Sequence, residues 1–172
     1  MRRLGVIAVL GVLLGMVGVL MTASPALARG PNWQVFPAPP FTLPATFCGF
    51  GVGATAVADK EFVTILQASD VSTTFLVTGL LTGSFTNLET GKTITLNGSG
   101  PAKITVHPDG SVTELRKGPN FAILTPAEAA SFGLPTVSVT AGALTESLAP
   151  DGTITSASLQ GQVLVDICAA LS

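Results

Sequence analysis

The chain has 172 residues and a formal net charge of −2, with 47% hydrophobic and only 10% charged residues. With fewer basic than acidic residues, the chain is not basic enough to attract nucleic acid. One His, two Cys and no Tyr leave few of the side chains that enzymes commonly use as acids, bases or nucleophiles.

The first 28 residues have the three parts of a secretory signal peptide. Arg2 and Arg3 precede an apolar run from Leu4 to Met21, and Ala26-Leu27-Ala28 supplies an Ala-x-Ala cleavage site. A run of about 18 residues is nearly long enough for a transmembrane anchor, but no Lys/Arg cluster follows it as a stop-transfer signal. We predict cleavage after Ala28, which leaves a secreted protein, extracellular or associated with the cell wall, without a stable membrane anchor.

Removal of residues 1–28 from 172 leaves 144 residues, with six basic and ten acidic side chains and a net charge of −4. This length suits one domain. Prolines at positions 31, 37, 39, 40 and 44 interrupt residues 29–45 and favour an extended N-terminal arm over regular β-ladders. Trp33 and Phe36 are the candidates to pin this arm to the body, a single β-domain predicted for residues 46–172.

Beyond the arm, apolar residues repeat with a period of two, which is the pattern of half-buried β-strands. The longest example runs from Phe75 to Phe85, and the last runs from Leu159 to Ile167. Thr, Ser and Gln occupy most of the alternate positions. We expect one face of a curled sheet to carry the apolar side chains of Phe75, Val77, Leu81, Phe85, Leu159 and Val163.

Short turns containing glycine separate the strand segments. They are predicted at Glu89-Thr90-Gly91, at 108–111 and at 150–153, and further candidates are Asp59-Lys60-Glu61 and Ser69-Asp70. Because no helical crossovers intervene, strands that are neighbours in sequence should be neighbours in an antiparallel meander.

One short helix is predicted after the middle of the chain. Thr125-Pro126-Ala127-Glu128 has the pattern of a capping box with Pro at the first helical position, and Gly133 can end the helix. Glycines at 49, 51, 53, 79 and 83 permit strong bending of the strands around them. The sequence thus predicts an all-β fold, an antiparallel meander curled into a barrel or a barrel-like sandwich.

Cys48 and Cys168 most simply form one disulfide in an exported chain. His107 lies in a Pro-Asp-Gly turn, where we interpret it as a turn residue and not as a catalytic one. With a single His and two paired Cys, a zinc site would need carboxylates for most of its ligands. We therefore assign no catalytic, metal-binding or cofactor-binding residue.

Three segments together resemble a group of uncharacterised secreted β-proteins of actinobacteria. They are Thr86–Lys92 with the following 93–101, the later Pro-Asp-Gly turns, and the ending Val165–Leu171. The resemblance implies an exported β-protein of a Gram-positive bacterium, and it implies no activity and no site residues.

Three functional hypotheses follow from these features. The first is a non-enzymatic structural or interaction protein that contacts the cell envelope or a protein partner through its threonine-rich face and proline-rich arm. The alternative is a lipocalin-like barrel that carries a small apolar ligand in its interior. A secreted enzyme that works through a few carboxylates is the third.

Cleavage of the signal peptide predicts the mass of the secreted protein, which is that of residues 29–172. The secreted protein should begin at Arg29, because Ala26 and Ala28 are the small residues that signal peptidase requires. Intact-mass spectrometry of the protein from culture medium checks this. A product that retains Leu4–Met21 and stays with the membrane would contradict it.

Overall fold

The computed structural model of the protein describes residues 32–69 and 71–172. In these ranges the chain forms one antiparallel sheet of ten strands and two short helices. The predicted signal peptide lies outside the described residues. Neither described helix is long and apolar enough to cross a membrane.

Four of the ten strands are long, with 12 to 18 residues, and the other six have two to six residues. The strands are β1 (Gln34–Val35), β2 (Phe41–Leu43), β3 (Val52–Ser69), β4 (Ser72–Asn87), β5 (Thr93–Asn97), β6 (Ala102–Val106), β7 (Val112–Lys117), β8 (Asn120–Ile123), β9 (Val137–Leu148) and β10 (Ile154–Asp166). The helices are α1 (Pro126–Phe132) and α2 (Ile167–Leu171).

Two long hairpins organise the sheet. β3 pairs with β4 from the Val52/Asn87 pair to the Ser69/Ser72 pair, and β9 pairs with β10 over nearly its full length. Between the hairpins, β5 and β6 share the outer edge of β4, and β7 and β8 share the outer edge of β9. The sheet order β1-β3-β4-β6-β7-β9-β10 is therefore a meander, in which the short strands β6 and β7 lie side by side between the two long hairpins.

The sheet is not closed, so the predicted barrel does not form, whereas the all-β antiparallel prediction is confirmed. Closure would require β10 to pair with the outer edge of β3. Part of that edge is already occupied, because β1 pairs with β3 at Val63 and Phe62, and β2 pairs with it at 52–54. The arm thus forms two short ladders in the gaps between its prolines, where the sequence predicted no ladder.

The turn predictions are largely confirmed. Gly91, Gly110 and Gly152 have φ of 75°, 84° and 84°, the left-handed values that the three glycine turns require. Ser69 pairs with Ser72 at the end of the β3–β4 hairpin, and Asp70 lies outside the described residues.

The turn predicted at Asp59-Lys60-Glu61 is wrong, because these residues continue β3. Opposite Glu61 lies Gly79, whose φ is 142°. A Cβ atom at Gly79 would collide with the carbonyl oxygen of Lys60. The bare glycine backbone therefore lets the two strands approach closely here, and the hairpin continues without a turn.

Helix α1 has the predicted caps. The side-chain oxygen of Thr125 accepts a hydrogen bond from the N–H of Glu128, the Glu128 side chain accepts one from the N–H of Thr125, and Gly133 ends the helix at φ 66°.

Helix α2 corrects the prediction of one helix and of a strand that reaches Ile167. Asp166 caps α2 by accepting a hydrogen bond from the N–H of Ala169 at 3.1 Å. The side chains of Ile167 and Leu171, one helical turn apart, are both buried.

Two apolar clusters form the interior. The larger one lies where the β2–β3 end of the sheet meets β8, β9 and α2, and it contains Val52, Phe85, Val137 and Ile167. The smaller one contains Val63, Phe75, Val77 and Ala102. Of the predicted interior residues, Phe75, Val77 and Phe85 are buried, while Leu81, Leu159 and Val163 are half-buried.

The predicted disulfide is confirmed. Cys48 lies before β3 and Cys168 lies in α2, with their Cα atoms 5.0 Å apart at a sequence separation of 120. The bond therefore fastens the start of the first long hairpin to the end of the chain.

Loss of this bond should destabilise the fold. We expect Cys168→Ser to lower the free energy of unfolding by about 2 to 5 kcal/mol, because the unfolded chain regains the entropy of a long loop. Urea denaturation of oxidised protein measures the change. Cys48→Ser and the double variant should show the same loss, and two alkylatable thiols in the native protein would contradict the prediction.

Candidate functional site

The arm is held along the outer edge of β3 by hydrogen bonds from its backbone N–H groups to a backbone carbonyl and a side chain of that strand. The N–H of Phe36 donates to the carbonyl oxygen of Glu61 at 2.9 Å. The N–H of Ala38 donates to Oδ2 of Asp59 at 2.7 Å. Because both acceptors belong to β3, the arm follows the strand despite its prolines.

This attachment brings large apolar side chains of the arm and of the hairpin together. Val35 lies directly opposite Phe62 and therefore shares its face of the sheet. Lys60 precedes Phe62 on the same face of β3, and Leu80 lies opposite Lys60 on that face of β4. Trp33, Phe62 and Thr78 line an open depression of about 310 Å³.

We call the four exposed apolar side chains on this side the hairpin face. They are Trp33, Val35, Phe62 and Leu80, with between 41% and 70% of each residue exposed. The opposite face of the same strands covers the smaller core cluster, against which Phe36 packs. Phe36 therefore pins the arm as predicted, whereas Trp33 remains exposed.

Two cations lie beside the hairpin face. Lys60 is opposite Leu80, and Lys103 of β6 is opposite Leu76 of β4. Both lysines are exposed, and neither is within ion-pair distance of a carboxylate among the described residues. The face thus has an apolar centre and a positively charged margin.

Glu61 lies buried behind the attachment of the arm. Burial raises its pKa to about 7, and the nearby Asp59 contributes to the increase. Near neutral pH, the Glu61 side chain is therefore present in both its protonated and its charged form. Its backbone carbonyl oxygen accepts the hydrogen bond from the N–H of Phe36.

A separate charged cluster joins three strands on the inner side of the sheet. Nη2 of Arg116 donates to Oε2 of Glu114 at 2.8 Å and lies 3.2 Å from Oε2 of Glu146. Nη1 of Arg116 donates to the carbonyl oxygen of Phe121 at 2.7 Å. Arg116 thus connects β7, β8 and β9.

The charges of this cluster are set by burial and by one another. Burial alone would lower the pKa of Arg116, but Glu114 and Glu146 outweigh it and raise that pKa above its usual range. Burial raises the pKa of Glu146, because Arg116 offsets only part of the cost and Glu114 and Glu128 add repulsion. Both terminal nitrogens of the guanidinium are engaged, and their partners lie on three strands, so the cluster joins these strands.

The two carboxylate oxygens of Glu128 are also engaged. Oε2 accepts from the N–H of Thr125, and Oε1 accepts from the N–H of Ile154 at 3.0 Å. Within residues 32–69 and 71–172, no group of three or more His, Cys, Asp or Glu side chains is arranged to hold a metal ion.

The interior contains a small apolar cleft of about 80 Å³. Its walls include Phe41, Leu81, Phe85 and Phe121. The rings of Phe85 and Phe121 meet edge to face with their centroids 5.0 Å apart and fill much of the space. Sites for drug-sized ligands usually measure about 300 to 1,000 Å³, several times this volume.

His107 lies in the turn where the sequence places it. Its ring atom Nε2 is 3.1 Å from Oγ1 of Thr113, and its backbone N–H donates to the carbonyl oxygen of Ser111. Sequence reasoning missed both the hairpin face and the charged cluster. The one local signal of the charged cluster was the spacing of Glu114 and Arg116, because residues two apart in a strand lie on the same face.

Comparisons with family models, with curated proteins and with solved structures found no match. The interpretation of the hairpin face therefore depends on its own geometry and chemistry.

The raised pKa of Glu61 makes stability depend on pH. An acid whose pKa rises on folding binds more protons in the folded state, so stability is full below pH 4.5 and falls as the pH rises through about 7. We expect a loss of about 2 kcal/mol over this window, after allowance for solvent screening. Denaturation at a series of pH values measures it.

Glu61→Gln should reduce this pH dependence by the part that Glu61 contributes, because an amide does not titrate. Glu89→Gln, on an exposed turn, is the matched control and should keep the slope of the wild type. An unchanged slope in Glu61→Gln would refute the assignment.

Proposed function

We propose that the protein is an exported, non-enzymatic interaction domain that binds a protein partner at the cell exterior through the hairpin face. The observation that carries this proposal is the grouping of four large, exposed apolar side chains on one face of the sheet. Contiguous apolar patches of this kind are uncommon on monomeric proteins and usually mark a contact surface. Trp is also among the residues that contribute most to protein binding.

The margins of the hairpin face indicate the chemistry of the partner. Lys60 and Lys103 lie beside the apolar centre, and opposite charges across an interface steer association. The partner that fits is an apolar protein surface with acidic residues at its rim.

Export is part of the same proposal. The disulfide between Cys48 and Cys168 is compatible with an extracellular protein, since such bonds persist in oxidising compartments. The predicted signal peptide and the resemblance to secreted actinobacterial proteins support the same location.

Carriage of a small apolar ligand is less well supported. The interior cleft has suitable apolar walls, but its volume of about 80 Å³ leaves little room for such a ligand. An enzyme that uses Glu114 and Glu146 is also less well supported, because Arg116 occupies both carboxylates.

Site-specific photo-crosslinking tests the proposal. A photo-crosslinking residue replaces Val35, on the hairpin face and 70% exposed, or Val57, outside it and 58% exposed. We expect a discrete protein adduct from position 35 in the producing cells and none from position 57. Unlabelled wild-type protein should compete for the adduct, whereas Phe62→Ser should need at least about tenfold more protein to do so.

Leu88→Ser removes another exposed apolar side chain, away from the hairpin face, and should compete as well as the wild type. Equal adducts at positions 35 and 57, or full competition by Phe62→Ser, would overturn the proposal. One-to-one binding of a fluorescent apolar probe that Leu81→Trp abolishes without unfolding would instead support ligand carriage.

A further inference from the structure

Strand β10 has one edge without a partner strand in the part of the chain that the structure describes. Its other edge pairs with β9, and the sheet order ends at β10. In an antiparallel ladder, alternate residues direct their N–H and C=O groups away from the paired neighbour. The free edge therefore presents a row of hydrogen-bonding groups that a further strand can satisfy.

The composition of β10 lacks the devices that usually protect such an edge. Residues 154–165 contain no charged residue and no proline, whereas natural edges commonly carry lysine, proline or inward-pointing charges. Irregularities of register occur only near the ends, between Ile154 and Ser156 and between Val163 and Val165. Residues 156–163 therefore form a regular strand that is ready to pair.

We propose that two copies of this chain associate by pairing β10 with β10, antiparallel and about a two-fold axis perpendicular to the sheet. Pairing a strand with its own copy brings like residues close together, and like charges in such positions are destabilising. Because residues 154–165 carry no charge, β10 avoids this repulsion. The edge is thus complementary to itself.

The two faces of β10 suit this pairing. Exposed polar residues occupy one face and half-buried apolar residues the other: Ser156, Ser158, Gln160 and Gln162 against Ala157, Leu159 and Val163. Residues directly opposite in an antiparallel pair lie on the same face. Hydroxyl and amide groups of the two copies therefore meet on the outside, and apolar side chains meet on the inside.

The arrangement ends at two copies. A two-fold interface uses the same edge of both partners, so one β10–β10 pair occupies the β10 edge of both copies. At the other end of the sheet, β1 and β2 pair with part of the outer edge of β3, and Pro37, Pro39, Pro40 and Pro44 flank these two short strands. Prolines at an edge disfavour the addition of a further strand, so this end is not expected to extend the assembly into a fibre.

Sedimentation equilibrium of the purified, oxidised protein tests the proposal. We expect twice the mass of the chain at high protein concentration, with a shift to the mass of one chain on dilution. Ser158→Lys combined with Gln160→Lys should abolish the dimer. Both positions lie on the polar face near the middle of 156–163, so a pairing centred there that puts polar face beside polar face brings a lysine of one copy opposite a lysine of the other. Thr145→Lys is the control, since Thr145 lies opposite Ser158 on β9, away from the edge.

A charge-swap experiment separates edge pairing from a general effect of the substitutions. Ser158→Glu combined with Gln160→Glu should also be monomeric, and an equimolar mixture of the Lys and Glu variants should recover the dimer. Phe62→Ser should leave the dimer intact, which distinguishes this interface from the hairpin face. A monomeric wild type, a dimer that survives both lysines, or a mixture that stays monomeric would overturn the proposal.

Discussion

The outer edge of β3 accepts only one partner strand at each position, and this constraint determines the rest of the architecture. The arm occupies that edge through β1 and β2. The sheet consequently stays open, and β10 keeps an unpaired edge in the described part of the chain. The same attachment places Trp33 and Val35 beside Phe62 and so creates the exposed apolar face. One set of backbone hydrogen bonds therefore underlies both proposed contact surfaces.

The buried charges of Arg116, Glu114 and Glu146 form a second set of interactions, on β7, β8 and β9. Breaking a buried ion pair by removing one partner usually costs more than the intact pair contributes, because a charge is left without compensation. Arg116 is shared by Glu114, Glu146 and the carbonyl oxygen of Phe121, so each of these groups depends on it. The cluster fixes the relative positions of β7, β8 and β9, where the short strands provide few ladder hydrogen bonds.

Local chemistry accounts for the features that were predictable from the sequence. The glycine turns, the capping box at Thr125 and the period-two strands each depend on residues close together in the chain. The open sheet depends instead on a competition between the arm and β10 for one edge, which no local pattern records. The end of β10 at Asp166 was missed because Ile167 continues the strand alternation, although Asp166 with Ile167 and Leu171 is also the pattern of a capped helix. The hairpin face was missed because its residues come from three separate strands and from the chain before them.

The disulfide has a mechanical consequence. A pulling force applied between the start of the arm and residue 172 would pass through Cys48 and Cys168 and bypass the chain between them, which spans a sequence separation of 120. The arm lies outside this loop, so its ladders of two and three residue pairs with β3 are the parts of the sheet that the force would open. Tension on a tethered molecule would thus remove Trp33 and Val35 from beside Phe62 while the body of the sheet stayed folded.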